Sequence, residues 1–300
     1  MHHRAAYTFL LLTALFWGGN AVAGKLAVGN VSPMLLVALR WSIAVTILAV
    51  IGWRQVRADW PVIRANKGLL FLLGALGFTC FNALFYTALI YTSAINVAIE
   101  QAGMPMVIFL LNFIIFRLPV SPAQIFGFVL SITGVMLTAI HGDLTRLAAL
   151  DVNFGDLLML VAVLLYSGYT VALRSKPQLH WQSLMMALAV SALLTSLPLV
   201  AWEYLSGDLM LPNLQGWSLA LYIAIFPSLL AQIFFIRGNE LIGGNRAGIF
   251  INMVPIFGTL LSIIIVGETF QLYHAIAMIL VFGGIWIAER SGRRMAAQQL

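Results

Sequence analysis

Glu100 is the one acidic residue set deep within an apolar run, in the stretch Ile99-Glu100-Gln101-Ala102-Gly103-Met104. A carboxyl group so placed is costly to charge. It would either titrate as part of a coupled process, or serve as a structural partner for Arg40 or a backbone group, or lie near the outer surface. A second set is made of amides: Asn20, Asn82, Gln101, Gln232 and Asn252 all stand in apolar sequence. Amides offer donors and acceptors without charge, which suits the ends of a zwitterion and equally suits hydrogen-bonded glue between helices. Trp17, Tyr86, Tyr166 and Tyr169 thread the same runs and would give an apolar wall with polar edges. Arg40 must find a carboxylate or carbonyls, which reads as structural pairing before substrate contact. Lys25, near the end of its run, can reach the interface with its long stem. Pro105 and Pro255 would each remove a backbone bond and kink a helix, as a hinge or as a static feature of packing.

Other chemistries are excluded by the same inspection. Gly19 to Lys25 spells GNAVAGK, close to a phosphate-binding loop, but Leu26 stands where the magnesium-binding hydroxyl would be and no strand precedes it. The histidines (His2, His3, His141, His180, His274) have no ligand-set spacing, and no serine or cysteine sits in a nucleophile motif. No catalytic residue, metal or cofactor is expected. An intramembrane enzyme, such as a lipid-modifying transferase, lacks its catalytic cluster. With no nucleotide-binding domain, active movement of a solute would have to draw on an ion gradient or on the solute's own.

These residues need elements to hold them, and the composition says which. Of 300 residues, 62% are hydrophobic and 9% charged, with a mean hydropathy of +0.99. One globular core cannot bury that much apolar surface, so the lipid bilayer is the solvent for the outside. Cys80, the single cysteine, excludes an internal disulfide. About ten apolar stretches are long enough to cross a membrane: Ala6–Val28, Met34–Trp53, Gly68–Tyr91, Asn96–Phe116, Ala123–Ile140, Gly155–Arg174, Ser183–Tyr204, Trp217–Ile236, Ala247–Val266 and Tyr273–Ala288. Trp53, Trp60, Trp202 and Trp217 at their ends read as interfacial anchors.

The net charge of +6 is not a nucleic-acid patch, because the basic residues are spread through short gaps between apolar runs. With Arg4 inside, the inner loops hold Arg54, Arg57, Arg64, Lys67, Arg117, Arg174, Lys176, Arg237 and Arg246, and the tail adds Arg290, Arg293 and Arg294. Opposite them lie Asp143, Asp151, Asp156, Glu203, Asp208 and Glu268, with Arg146 alone for balance. This bias predicts an inner-membrane, multi-pass protein with both termini cytoplasmic. The basic tip followed by Ala21-Val22-Ala23 resembles a cleavable leader, but cleavage would invert the charge pattern of everything after it.

Self-comparison adds a repeat. A shift of 150 places Pro105 on Pro255, Phe85 on Phe235, Asn82 on Gln232 and Gly134 on Gly284. A shift of 149 places Gly19 on Gly168, Trp17 on Tyr166 and Lys25 on Arg174. Each half, residues 1–145 and 146–300, would hold five spans. An odd number turns the second half over, giving an all-α membrane protein of two inverted five-helix repeats. Such a scaffold can open alternately to either side around a midplane site. The small residues Gly127 with Ser131, and Gly284 with Ala288, permit close packing within the chain or at a homodimer face.

Phe16-Trp17-Gly18-Gly19-Asn20, Pro33 with Arg40, Pro105, Gly155-Asp156, Pro255 and Val266-Gly267-Glu268 together resemble the EamA-type drug/metabolite transporter superfamily, over nearly the whole chain. In the first half Arg117-Leu118 replaces the family's usual Gly-Glu turn. Within the family the character is most similar to amino-acid exporters, especially YddG-like aromatic amino-acid exporters. The resemblance implies a secondary carrier exporting a small neutral or zwitterionic metabolite, with amino acids including aromatic ones and methionine favoured. Efflux of cationic drugs by proton antiport is the alternative. Phosphorylated sugars fit less well, since few basic residues face inward. The substrate-contacting set would be Trp17, Asn20, Asn82, Tyr86, Glu100, Gln101, Tyr166, Tyr169, Gln232 and Asn252, with Glu100 as the coupling group.

Overall fold

A computed structural model describes residues 2–117, 120–143, 153–243, 247 and 250–298. The expected boundary between residues 145 and 146 lies outside the described residues, as do Leu118, Arg146, Asp151 and Arg246. The side chains of Arg293 and Arg294 do too. Every regular element is helical among the described residues. In chain order the helices are α1 (His2–Ala27), α2 (Pro33–Ala58), α3 (Trp60–Ala65), α4 (Lys67–Gly74), α5 (Phe81–Tyr91), α6 (Ala94–Gln101), α7 (Met104–Phe116) and α8 (Pro122–Ala139). They continue as α9 (Phe154–Ala172), α10 (Trp181–Leu205), α11 (Leu214–Ile225), α12 (Ala231–Ile242), α13 (Val254–Leu261) and α14 (Leu272–Gln298). Single π-helical turns join α4 to α5 (Ala75–Cys80) and α11 to α12 (Phe226–Leu230), and another comes after α13 (Ser262–Val266).

Among the described residues eight helical stretches are long and apolar enough to cross a bilayer, and two more, Val254–Val266 and Leu272–Ala288, are apolar but shorter. Their outer faces are what lipid would dissolve: Ile114, Ile264, Ile279 and Trp286 are all at least 60% exposed. The chain is therefore a multi-spanning, all-α membrane bundle.

The packing has a reciprocal pattern. Helix α1 packs on α12 and α13, while α9 packs on α5 and α7. Helix α2 lies along α10, and α8 along α14. That last pair is held by small residues: a Cβ on Gly284 would come within 2.3 Å of the Gly127 carbonyl oxygen, and Ser131 Oγ donates to the Val281 carbonyl at 3.1 Å. Gly127, Ser131, Gly284 and Ala288 thus meet each other inside the chain, so this stripe is not a face left open for a second copy.

The loop charges sort to two ends. Glu203, at the end of α10, reaches the start of α2, taking the Ser32 hydroxyl at 2.6 Å and the Met34 and Leu35 N–H groups at 3.1 Å each. Glu268 takes the first N–H groups of α6, Ala94 at 2.7 Å and Ile95 at 2.9 Å. Both carboxylates satisfy orphan donors at a positive helix end. Lys25 does not snorkel; its Nζ donates to the Leu89 and Thr92 carbonyls at 2.8 and 2.7 Å, closing the end of α5. These contacts define an acidic end. At the opposite, basic end the His180 N–H donates to the Asp59 carboxylate at 3.1 Å. Replacing Glu203 with Gln removes a charge-assisted cap and should lower stability by about 2 kcal/mol, read as a fall in the Tm of the detergent-purified protein.

The prolines are placed differently from expectation. Neither lies in a helix interior: Pro105 stands in the first turn of α7 and Pro255 in the first turn of α13. There no backbone donor is needed, so the ring costs nothing. The break comes just before each one, at residues 102–103 and 252–253, which correspond under the 150 shift. At the first break the Ala102 and Gly103 N–H groups bond back only three residues, to Ile99 and Glu100, both at 3.0 Å.

Arg117 and Gly267 also correspond under that shift, and both end their helices in the left-handed region, at φ 52° and 78°. Glycine takes this conformation freely and arginine does not. Arg117→Gly should therefore raise stability by about 1 kcal/mol, measured by thermal unfolding in detergent.

Candidate solute-binding site

The centre of the bundle is organised by Arg40, buried on α2 at 7% exposure. Its Nε donates to Ser228 Oγ at 2.7 Å, and one terminal nitrogen donates to Asn82 Oδ1 at 2.6 Å and to the Tyr86 hydroxyl at 2.7 Å. The Tyr86 hydroxyl in turn donates to Asn20 Oδ1 at 3.0 Å. Four elements thus supply the cluster: α1 through Asn20, α2 through Arg40, α5 through Asn82 and Tyr86, and the π turn before α12 through Ser228. Two of the partners are also held elsewhere. Asn82 Nδ2 donates to the Phe78 carbonyl at 2.5 Å, and Ser228 Oγ donates to the Ile223 carbonyl at 2.7 Å.

The two π turns position this set. A π turn inserts one residue into the helix and re-aims the residues beyond it, and such turns frequently mark functional sites. The turn at Ala75–Cys80 directly precedes Asn82, and the turn at Phe226–Leu230 carries Ser228.

Among the described residues the guanidinium donates only to neutral groups, and no carboxylate pairs with it. This corrects the expectation that Arg40 would find a carboxylate or carbonyls, Glu100 in particular. A buried cation held by neutral dipoles keeps charge that those dipoles do not cancel.

Aromatic rings pack beside this cluster. The Trp41 ring stacks on Phe78 at 4.6 Å, and the Arg40 guanidinium lies 5.0 Å from the Trp41 ring centre. Phe78 neighbours Tyr169 at 5.8 Å, and Tyr166 sits between Tyr169 at 5.3 Å and Phe81 at 4.8 Å. Toward the acidic end, a cavity of about 410 Å³ opens between α1, α2, α5 and α10, with Tyr86 in its wall beside Gly24, Ser32, Thr87 and Trp202. It is large enough for a small metabolite.

The structure brings together Asn20, Asn82, Tyr86, Tyr166 and Tyr169 of the expected set. It does not bring the rest to Arg40. Trp17 donates from Nε1 to the Pro227 carbonyl at 3.1 Å and neighbours Phe235 at 5.6 Å. Gln101 ends α6, Gln232 lies half-buried on α12 beyond its π turn, and Asn252 occupies the break before α13. Glu100 is fully buried, and among the described residues neither carboxylate oxygen has a hydrogen-bond partner, Arg40 included. Missed from the sequence were Arg40 as the centre of the site, and Ser228, Trp41, Phe78 and Phe81 around it. A lone arginine amid apolar sequence was the available signal.

Comparison with known proteins agrees with this architecture. An uncharacterized transporter of Bacillus subtilis, YyaM, is 27% identical over 296 residues, covering 96% of this chain and 95% of its own length. YetK of the same organism is 25% identical over 94% of this chain and 86% of its own length. A solved crystal structure has the same fold, with a TM-score of 0.63 and 21% identity, covering 97% of this chain and 99% of its own. The profile of the EamA-like transporter family matches twice, over residues 4–140 and again over 153–289. Members of this family move solutes across membranes and do not transform them. The chain belongs to the EamA-like transporter family.

Proposed function

We propose that the protein is a secondary carrier exporting a small zwitterionic or neutral metabolite, with amino acids bearing large or aromatic side chains favoured, as in YddG-like exporters. The observation that carries this reading is the buried Arg40 guanidinium, which no carboxylate pairs among the described residues. A substrate carboxylate completes its shell, and the walls of Trp41, Phe78, Tyr166 and Tyr169 receive a flat or apolar side chain. A cationic drug would meet a positive charge at the centre, so proton-driven efflux of cations is the weaker reading and draws on Glu100 alone.

Alternating access between two inverted five-helix halves, residues 1–145 and 146–300, fits the reciprocal packing. The first span of each half leans on the third and fourth spans of the other, and the second and fifth spans pair with their counterparts. The charge bias supports an inner-membrane location with the acidic end outside and both termini cytoplasmic.

The test is uptake into proteoliposomes of labelled phenylalanine, tryptophan, methionine and threonine, a cationic dye and a sugar phosphate, with and without a pH gradient. Saturable uptake of the aromatic amino acids and methionine is expected. Uptake of dye or sugar phosphate alone would sink the substrate reading.

A further inference from the structure

A second polar cluster lies at the acidic end, apart from Arg40. Asp156, fully buried in the first turn of α9, accepts the Thr92 hydroxyl, and its Oδ2 meets His141 Nε2 at 2.9 Å. The Asn96 amide reaches Asp156 Oδ1 at 3.5 Å. Asn96 Oδ1 meets His274 Nε2 at 3.0 Å and accepts the Tyr273 hydroxyl at 3.4 Å. One turn along α6 from Asn96, which reaches Asp156, stands Glu100. His141 gives this group an opening to solvent, with 32% of its side chain exposed.

A structural tie between helix ends accounts for Asp156, Thr92 and Asn96. It does not account for Glu100, a carboxyl group at 0% exposure whose two oxygens bond to nothing among the described residues. Such a group ties no helix to another and weakens the fold, and an ionised carboxylate there would be unsupported. The neutral acid is the form this geometry accommodates. The other titratable groups around the pair are Lys25 on α1, which holds the end of α5, and Glu268, which holds the start of α6. Tyr91 ends α5, Asp143 comes after α8, and Tyr273 and His274 come from α14; α13 contributes none.

We propose that Glu100 and Asp156 form a proton-binding pair loaded from the acidic end through His141. The proposal rests on the carrier reading and deepens it by naming where a coupling proton is held. His141 takes a proton from water on one ring nitrogen and releases the proton on Nε2 to Asp156 Oδ2. The N–H bond breaks as the O–H bond forms, leaving a neutral ring and an uncharged acid. Neither Glu100 oxygen is hydrogen-bonded to Asp156, so a bridging water relays the proton: it takes the proton of Asp156 as it gives one of its own to an ionised Glu100, and Asp156 regains its charge.

The full-length protein is reconstituted with a pH-reporting dye in the vesicle lumen. Two quantities are read: exchange of labelled phenylalanine across the membrane, which needs no net proton movement, and the lumenal pH change during net phenylalanine flux. His141→Asn keeps a residue that tolerates the left-handed backbone at this position, where φ is 53°. It and Asp156→Asn should preserve exchange while slowing proton movement about tenfold or more. Proton movement at the wild-type rate in both variants overturns the proposal, as does parallel loss of exchange and proton movement, which marks a purely structural tie. If the wild type exchanges no phenylalanine, the substrate reading fails by itself. The infrared carboxylic-acid band of the purified protein then decides. A band that titrates and disappears in Glu100→Gln supports the pair, and its absence from the wild type overturns it.

Discussion

Arg40→Met should abolish saturable amino-acid transport while leaving the protein as stable as before or more so. The two halves of this expectation have one cause. A cation buried among neutral partners costs desolvation energy that Ser228, Asn82 and Tyr86 only partly return. Replacing it with an apolar chain of similar volume is often neutral or stabilising by about 1–4 kcal/mol. Ser228 keeps its bond to the Ile223 carbonyl and Tyr86 its bond to the Asn20 amide, while Asn82 Oδ1 loses its donor at a cost of about 1–3 kcal/mol that offsets part of the gain. Binding of a substrate carboxylate loses its charge partner, worth about 3 kcal/mol, or roughly a hundredfold in affinity. Arg40→Lys should also fail, because one ammonium cannot bond Ser228 on one side and Asn82 and Tyr86 on the other with a fork's geometry. The measurements are phenylalanine uptake in proteoliposomes and Tm in detergent. Loss of transport with a collapsed Tm would make Arg40 a structural residue, and retained transport would remove it from the site.

Gly284→Val should leave little folded protein. Its Cβ would lie 2.3 Å from both the Gly127 carbonyl oxygen and Ser131 Oγ, and 2.8 Å from the Ser131 nitrogen. Two of these three obstacles are backbone atoms, so α8 and α14 would have to separate along their length, and Ser131 would lose the Val281 carbonyl. The cost is about 3 kcal/mol or more, a large share of what holds a protein together. The neighbouring Gly283→Ala is the control: its nearest contact would be Leu130 at an ordinary 3.7 Å. Size-exclusion profiles and Tm of the two variants should differ sharply. Similar behaviour would mean that α8 and α14 do not approach as closely as described.

How much of this was legible before the fold was known depended on the residue. Apolar length alone pointed to a multi-spanning bundle, because a membrane leaves little else for such sequence to do, and eight of the ten expected stretches are long apolar helices among the described residues. The amide Asn82 and the ring of Tyr86 were singled out as intramembrane polar groups, and both stand in the Arg40 cluster. Glu100 was placed in the same set because nothing in the chain tells which face of α6 it occupies. Only the assembled bundle shows that Asn96, one turn before it on α6, reaches Asp156. Arg40 was expected to find a carboxylate or carbonyls, because a buried charge usually has such a partner. That it is held by neutral side chains instead is a property of α5 and of the turn between α11 and α12, which lie about 40 and 190 residues away. Lys25 failed for a related reason, since its two carbonyls become neighbours only when α5 ends beside α1.

An unneutralised charge inside a bilayer is also an electrical element. Moving one elementary charge through the membrane potential takes about 2.3 kcal/mol per 100 mV. If Arg40 shifts along the membrane normal as the halves rock, each cycle carries part of that charge through the field. A zwitterion bound to it adds none of its own. Transport of a solute with no net charge would then respond to membrane voltage, and the size of the response would report how far the Arg40 guanidinium travels.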